Sequence, residues 1–170
     1  MKQRPALVVA ICVGAVVAVL IILLATSSSD PDRAVASPVV GKTAPSFDAN
    51  DVDGRVVSVE DYQGKWLLVN FFATWCIPCK AEQPELVTLS SSMPIVSIAF
   101  DDPVDKVKDS FADNGGDWPV IAEGDGRLAL DYGVVKLPES YLVNPDGKVV
   151  KKFDGGITAS EVQHYIATAK

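Results

Sequence analysis

The sequence predicts an α/β domain built on a mixed β-sheet, parallel in its first half and antiparallel in its second. Three observations predict it. Trp66–Phe72 (WLLVNFF) is a near-continuous apolar run, the mark of a strand covered on both faces, and it leads into a segment of helical character. Ile95–Phe100 repeats that pattern and is followed by apolar residues at helical spacing over Val104–Ala112. Late in the chain, Ser140–Val143 and Val149–Phe153 flank Asn144-Pro145-Asp146-Gly147, a strong hairpin turn. Alternating strands and helices ask for parallel crossovers, and a hairpin adds antiparallel strands to the same layer.

In chain order, the first element is not part of that domain. Pro5–Ala25 contains no charged residue and is Val, Ala, Leu and Ile almost throughout. As a helix it would reach roughly 30 Å, the thickness of a bilayer core. It exceeds the length of an ordinary signal-peptide core, and Leu-Ala-Thr-Ser-Ser-Ser offers no cleavage site at its end. Residues 1–25 therefore read as a membrane anchor, with a signal sequence as the alternative. Lys2 and Arg4 favour a cytoplasmic N-terminus, which sets the rest of the chain outside. Cys12 lies within the run and reads as a membrane-buried thiol. Residues 26–38 (TSSSDPDRAVASP) have linker composition. The globular domain then spans residues 39–170, enough for a real core.

Within it, Val56–Val59 follows the turn signal Asp53-Gly54 and, with the stretch around Phe47, predicts an N-terminal β-hairpin. The strands and helices named above come next. Thr158-Ala-Ser-Glu161 has the capping-box form and opens a final helix through Ala169. Beyond Arg4 the chain carries 13 basic and 22 acidic residues, which excludes a nucleic-acid binder driven by net charge.

Cys76-Ile77-Pro78-Cys79 is the strongest chemical signal. A closed zinc site needs four N/S ligands, and completing one would take both Cys12, inside the apolar run, and His164, far from the motif in the C-terminal helix, so no metal is expected. A structural disulfide is the second rival. Context favours redox chemistry instead. The cysteines follow a buried strand and open a helix, whose unpaired N–H groups and dipole stabilise a thiolate and lower its pKa. Pro78 falls in the first helical turn, where its missing N–H costs little.

With WCIPC as its active-site motif, the chain resembles the thioredoxin superfamily. It is more closely similar to that superfamily's membrane-tethered, extracytoplasmic branch, the TlpA/ResA/DsbE-like reductases of cytochrome c maturation. The resemblance spans nearly the whole domain. It includes G-K-x-A-P-x-F at Gly41–Phe47, LLVNFFATWC at Leu67–Cys76, GDGRLALDYGV at Gly124–Val134, and Leu137-Pro138-Glu139-Ser140-Tyr141 before a strand. It implies a thioredoxin-like fold and thiol–disulfide exchange without a cofactor. Cys76, the more exposed cysteine by this analogy, is the nucleophile and Cys79 resolves the mixed disulfide. Leu137–Pro138 is implied to be a cis peptide that offers its backbone to an extended substrate. Lys136 stands where the family often has glycine. Trp75, Ile77 and Pro78 are expected to form an apolar substrate rim.

The buried Asp of cytosolic thioredoxins is replaced here by Asn70, which cannot shuttle a proton and reads as a hydrogen-bonded core amide. Glu82, three residues after Cys79 and on the same helical face, is the candidate proton relay. Pro84 is expected to kink the helix beyond it. His164 and the DDPVDKVKD stretch read as solvated surface. The implied partners are disulfide-containing exported proteins, apocytochrome c or its maturation factors among them, and a membrane electron-donor protein. The alternatives are a disulfide oxidase or isomerase of the same fold, and a non-catalytic membrane-tethered binding module.

Overall fold

A computed structural model describes residues 13–19, 21 and 37–169. The chain divides into two units, Met1–Val35 and Ala36–Lys170. In the first, residues 13–19 are helical. No helix among the described residues is long and apolar enough to cross a membrane. Lys2, Arg4, Cys12 and most of the 26–38 linker lie outside the described residues, as does the greater part of the apolar run.

The second unit is a thioredoxin-like α/β fold around a five-stranded mixed sheet. Its strands are β3 (Leu67–Phe72), β4 (Ile95–Phe100), β5 (Val120–Glu123), β6 (Glu139–Val143) and β7 (Val149–Asp154), in the order β5-β4-β3-β6-β7. β3, β4 and β5 run parallel, and β6 and β7 are antiparallel to their neighbours. Ahead of the sheet, β1 (Asp48–Asn50) and β2 (Val56–Ser58) pair antiparallel. The helices are α1 (Ile77–Ser90), α2 (Val104–Asn114), α3 (Arg127–Tyr132) and α4 (Ala159–Thr168).

Every residue of β3 is buried, as the unbroken apolar run requires of a central strand. Its side chains alternate between two cores. Leu68 and Phe72 face a cluster with Leu86 and Leu89 of α1 and Val162 of α4. Leu67, Val69 and Phe71 face a second cluster with Leu128 and Tyr132 of α3. In that second core Phe71, Tyr132 and Tyr141 meet with ring centroids 5.1–5.7 Å apart. The β6–β7 turn is closed by Asn144, whose side chain accepts the Lys148 N–H at 2.9 Å. Gly147 supplies the positive φ of 76° that the turn demands.

Several elements depart from the sequence expectation. β3 begins at Leu67, leaving Trp66 outside, and β6 begins one residue early at Glu139. β5 and α3 were not anticipated, because four and six residues are too short for a periodic signal. α3 is preceded by Gly126, which has no capping side chain. Instead the Glu123 carboxylate accepts the Leu128 and Ala129 N–H groups at 2.6 and 3.4 Å. At α4, Thr158 accepts the Glu161 N–H at 3.2 Å. α1 continues through Pro84 to Ser90.

Candidate active site

The site is built where the chain leaves β3. Parallel pairing brings the C-terminal ends of β3 and β4 side by side, so the loops that follow them touch. Asp102, just beyond β4, accepts the Thr74 N–H at 2.5 Å and the Thr74 hydroxyl at 2.7 Å. Part of the DDPVDKVKD stretch is thus not solvated surface. It anchors the segment that presents Trp75 and Cys76.

Cys76 is the residue immediately before α1, with extended backbone, and its Sγ accepts the Cys79 N–H at 3.3 Å. A sulfur at that place receives the field of the helix terminus and one of its unpaired N–H groups. Pro78 sits in the first turn, leaving the geometry undisturbed. Cys76 and Cys79 are joined as a disulfide, with Cα atoms 5.3 Å apart. Both are buried, at 6% and 4% exposure, so the two differ less by area than by direction. Cys76 borders an open groove of about 530 Å³ and Cys79 does not.

Around that groove the structure gathers Trp75, Ile77, Pro78 and Leu137 with Cys76. Trp75 and Ile77 are strongly exposed for apolar residues, at 61% and 80%. Sequence reasoning missed Phe100, Val134 and Val135, which complete the wall, while Lys136 supplies the charge. The Leu137–Pro138 peptide is cis. Pro138 itself is buried behind the groove, with its carbonyl accepting the Gly155 N–H at 3.0 Å.

Glu82 lies one helical turn beyond Cys79, on the core side of α1, and only 3% of it is exposed. Its Oε1 accepts the Ile157 N–H at 3.0 Å and its Oε2 accepts Asn70 Nδ2 at 3.4 Å. Burial outweighs these two donors and pushes the carboxyl up from 4.5 to about 7. Glu82 can therefore exchange a proton near neutral pH, which an ordinary surface glutamate cannot. Asn70 is a hydrogen-bonded core amide that touches Glu82 directly. His164 is exposed on α4. Among the described residues no group of three or more His, Cys, Asp or Glu side chains is gathered as metal ligands would be.

Comparison with known proteins agrees with this geometry. The family described as the AhpC/TSA family matches residues 40–152. The thiol-disulfide oxidoreductase ResA of Bacillus subtilis is 33% identical over 135 residues, covering 76% of this chain and 75% of that protein. A thiol:disulfide interchange protein DsbE homolog of Paracoccus denitrificans is 31% identical over 135 residues, covering 78% and 75%. Among solved structures, a thioredoxin family thiol:disulfide interchange protein from Chlorobium tepidum superposes with a TM-score of 0.69. Its sequence identity is 28%, with 75% of this chain and 94% of that one covered.

Proposed function

This chain belongs to the AhpC/TSA family of the thioredoxin superfamily and is a thiol–disulfide oxidoreductase, and on that premise we propose that it reduces disulfides of exported proteins outside the cytoplasm. The substrates are exported proteins such as apocytochrome c or its maturation partners, the chain is held to the membrane by residues 1–25, and a membrane protein re-reduces it. The single observation that carries the reading is that Cys76, at the start of α1, borders an apolar groove while its partner Cys79 does not.

In the reaction, the Cys76 thiolate attacks one sulfur of the substrate disulfide. The other substrate sulfur leaves as a thiolate and takes a proton from water. Cys79 gives its proton to the Glu82 carboxylate, and the resulting thiolate attacks Cys76 Sγ in the mixed disulfide. The second substrate sulfur departs as a thiolate and also takes a proton from water. The substrate has gained two electrons and two protons, and Cys76–Cys79 is oxidised. Two electrons from the membrane donor restore the dithiol. Trp75, Ile77 and Pro78 pack the substrate on one side of the attacked bond. Leu137, in the groove wall, offers its backbone on the other. A reductive direction is supported by Glu82, whose negative charge opposes thiolate formation and so disfavours a strongly oxidising pair.

The test is trapping in intact cells. Cys79→Ala should hold exported proteins as mixed disulfides on Cys76, at least about tenfold more than Cys76→Ala does, because attack survives and resolution is lost. Equal trapping by the two variants would reverse or remove the assigned roles. Adducts formed only with cytoplasmic proteins would overturn the compartment.

A further inference from the structure

Beyond the redox pair, a line of buried polar side chains crosses the sheet beneath α1, at right angles to the strands. Trp118, on the loop before β5, donates its indole N–H to Ser97 Oγ of β4 at 2.8 Å. The Ser97 hydroxyl donates to Asn70 Oδ1 of β3 at 3.3 Å. Asn70 Nδ2 donates to Ser140 Oγ of β6 at 3.0 Å and to Glu82 Oε2 at 3.4 Å. All five side chains are buried. Asn70 pairs in register with Ser97 on one side and Ser140 on the other, so the strand pairing itself holds the line together. Buried polar groups are costly in an apolar core unless each finds a partner, and here each does.

The line has a direction. An indole N–H can only donate, so Ser97 must accept from Trp118, leaving its own hydrogen to be given onward. The Asn70 carbonyl takes that hydrogen, which aims the amide NH2 at Glu82. The reversed amide would strand the Ser97 hydrogen and set a carbonyl oxygen against the Glu82 carboxylate. We propose that Trp118, acting through Ser97, fixes the Asn70 amide with its donor toward Glu82 and thereby controls how readily Glu82 takes and releases a proton. Trp118 and Ser97 are then positioning residues for the redox pair, although neither borders the groove. The inference rests on Glu82 being the proton acceptor of the proposed reaction.

The surroundings of Glu82 leave Asn70 as its one adjustable partner. From β3 and β6 the facing groups are Asn70 and Ser140, both uncharged. From the segment before α4 it is the Ile157 N–H. On α1 itself, Cys79 precedes it by one turn, and the Glu85 carboxylate is engaged by the Ala159 N–H at 2.9 Å. No cation is among its hydrogen-bond or ion-pair partners in the described residues.

The experiment uses the oxidised full chain without substrate, where neither cysteine titrates, so it can fail without failure of the catalytic reading, and the reverse. With the three tryptophans labelled at the indole nitrogen, the Trp118 N–H resonance should shift with pH at one midpoint near 7, that of Glu82. It should become flat in Glu82→Gln, while Trp66 stays flat throughout. In Trp118→Phe, with glutamate carboxyl carbons labelled, the Glu82 midpoint should rise by about 0.5–1 pH unit, since the amide is free to reverse. Phe111→Leu loosens the same packing, its ring lying 5.4 Å from Trp118, without touching the line, and should leave the midpoint in place. A Trp118 resonance that does not follow Glu82 overturns the proposal. So does an equal shift in Trp118→Phe and Phe111→Leu, which would assign the effect to packing. If Trp118→Phe does not fold, the wild-type indole titration decides alone.

Discussion

Glu82 and Glu139 are both almost wholly shut off from water, at 3% and 0% exposure, on opposite faces of the same sheet. Around Glu139 the fold supplies charge. Lys152 Nζ lies 3.0 Å from its Oε1, in an ion contact whose angles fall short of a hydrogen bond, and 3.1 Å from Asp154. The Tyr141 hydroxyl donates to Glu139 Oε2 at 3.0 Å, and the Val135 N–H approaches it at 3.4 Å. Among the described residues Glu82 receives only an amide and one backbone N–H, with no cation. A buried carboxylate paired with an ammonium is a fixture, costly to disturb. One held by neutral donors alone sits near the balance between its two protonation states. The same residue type thus stands as a brace behind the groove-forming loop at Glu139 and, in the proposed reaction, as the proton acceptor at Glu82.

The largest expected effect comes from breaking the brace. Lys152→Met should cost about 3–5 kcal/mol in urea unfolding, because Glu139 is left buried without its cation. Adding Glu139→Leu should recover most of it, since removing both charges removes the uncompensated one. Failure of the second substitution to rescue would mean that the pair contributes stability on its own account.

Next in size is the pH dependence of stability that Glu82 imposes. Its carboxyl is raised on folding, so between pH 4.5 and about 7 the folded state keeps a proton that the unfolded state has lost. Stability is then fullest below 4.5 and falls as pH rises through 7, by about 3 kcal/mol. Glu82→Gln should remove this slope. Urea midpoints at a series of pH values, wild type against variant, measure it, and parallel curves would place Glu82 among ordinary carboxylates.

The smallest effect concerns the thiols. In the reduced chain, Glu82→Gln should lower the apparent pKa for Cys76 alkylation by about 0.5–1 unit. The rate profiles should coincide below about pH 6, where Glu82 is already protonated in the wild type, and separate above pH 7. Separation at low pH as well would point to a shape change in place of a charge effect.

How much of this was readable in the sequence follows from how local each interaction is. WCIPC lies within five residues, and Glu82 one turn beyond it, so the helix period alone brings them together. The buried strands announced themselves by composition, and the Asn144–Gly147 turn by its residue types. Ser97 and Trp118 gave no such sign, because their partners lie 27 and 21 residues away and only strand pairing brings them near. Lys152 gave no sign either, because its place opposite Tyr141, which turns it inward, is set by strand register. Asp102 looked like a solvated helix start because its partner, Thr74, belongs to a different loop. The anchor expected at residues 1–25 lies largely outside the described residues.

The groove beside Cys76 is walled by Trp75, Ile77, Phe100, Val134, Val135 and Leu137, and among the described residues Lys136 is its only charged side chain. A polypeptide laid there would gain affinity mainly by releasing water from apolar surface. Its association would carry a negative heat-capacity change, weaken on cooling and respond little to added salt. Such a groove selects for more than the presence of a disulfide. A folded protein hides the apolar residues that flank its disulfides, whereas a newly exported or misfolded chain displays them. The electron pair would therefore go to chains that have not finished folding, and completed disulfides in native proteins would be spared without any need to recognise them.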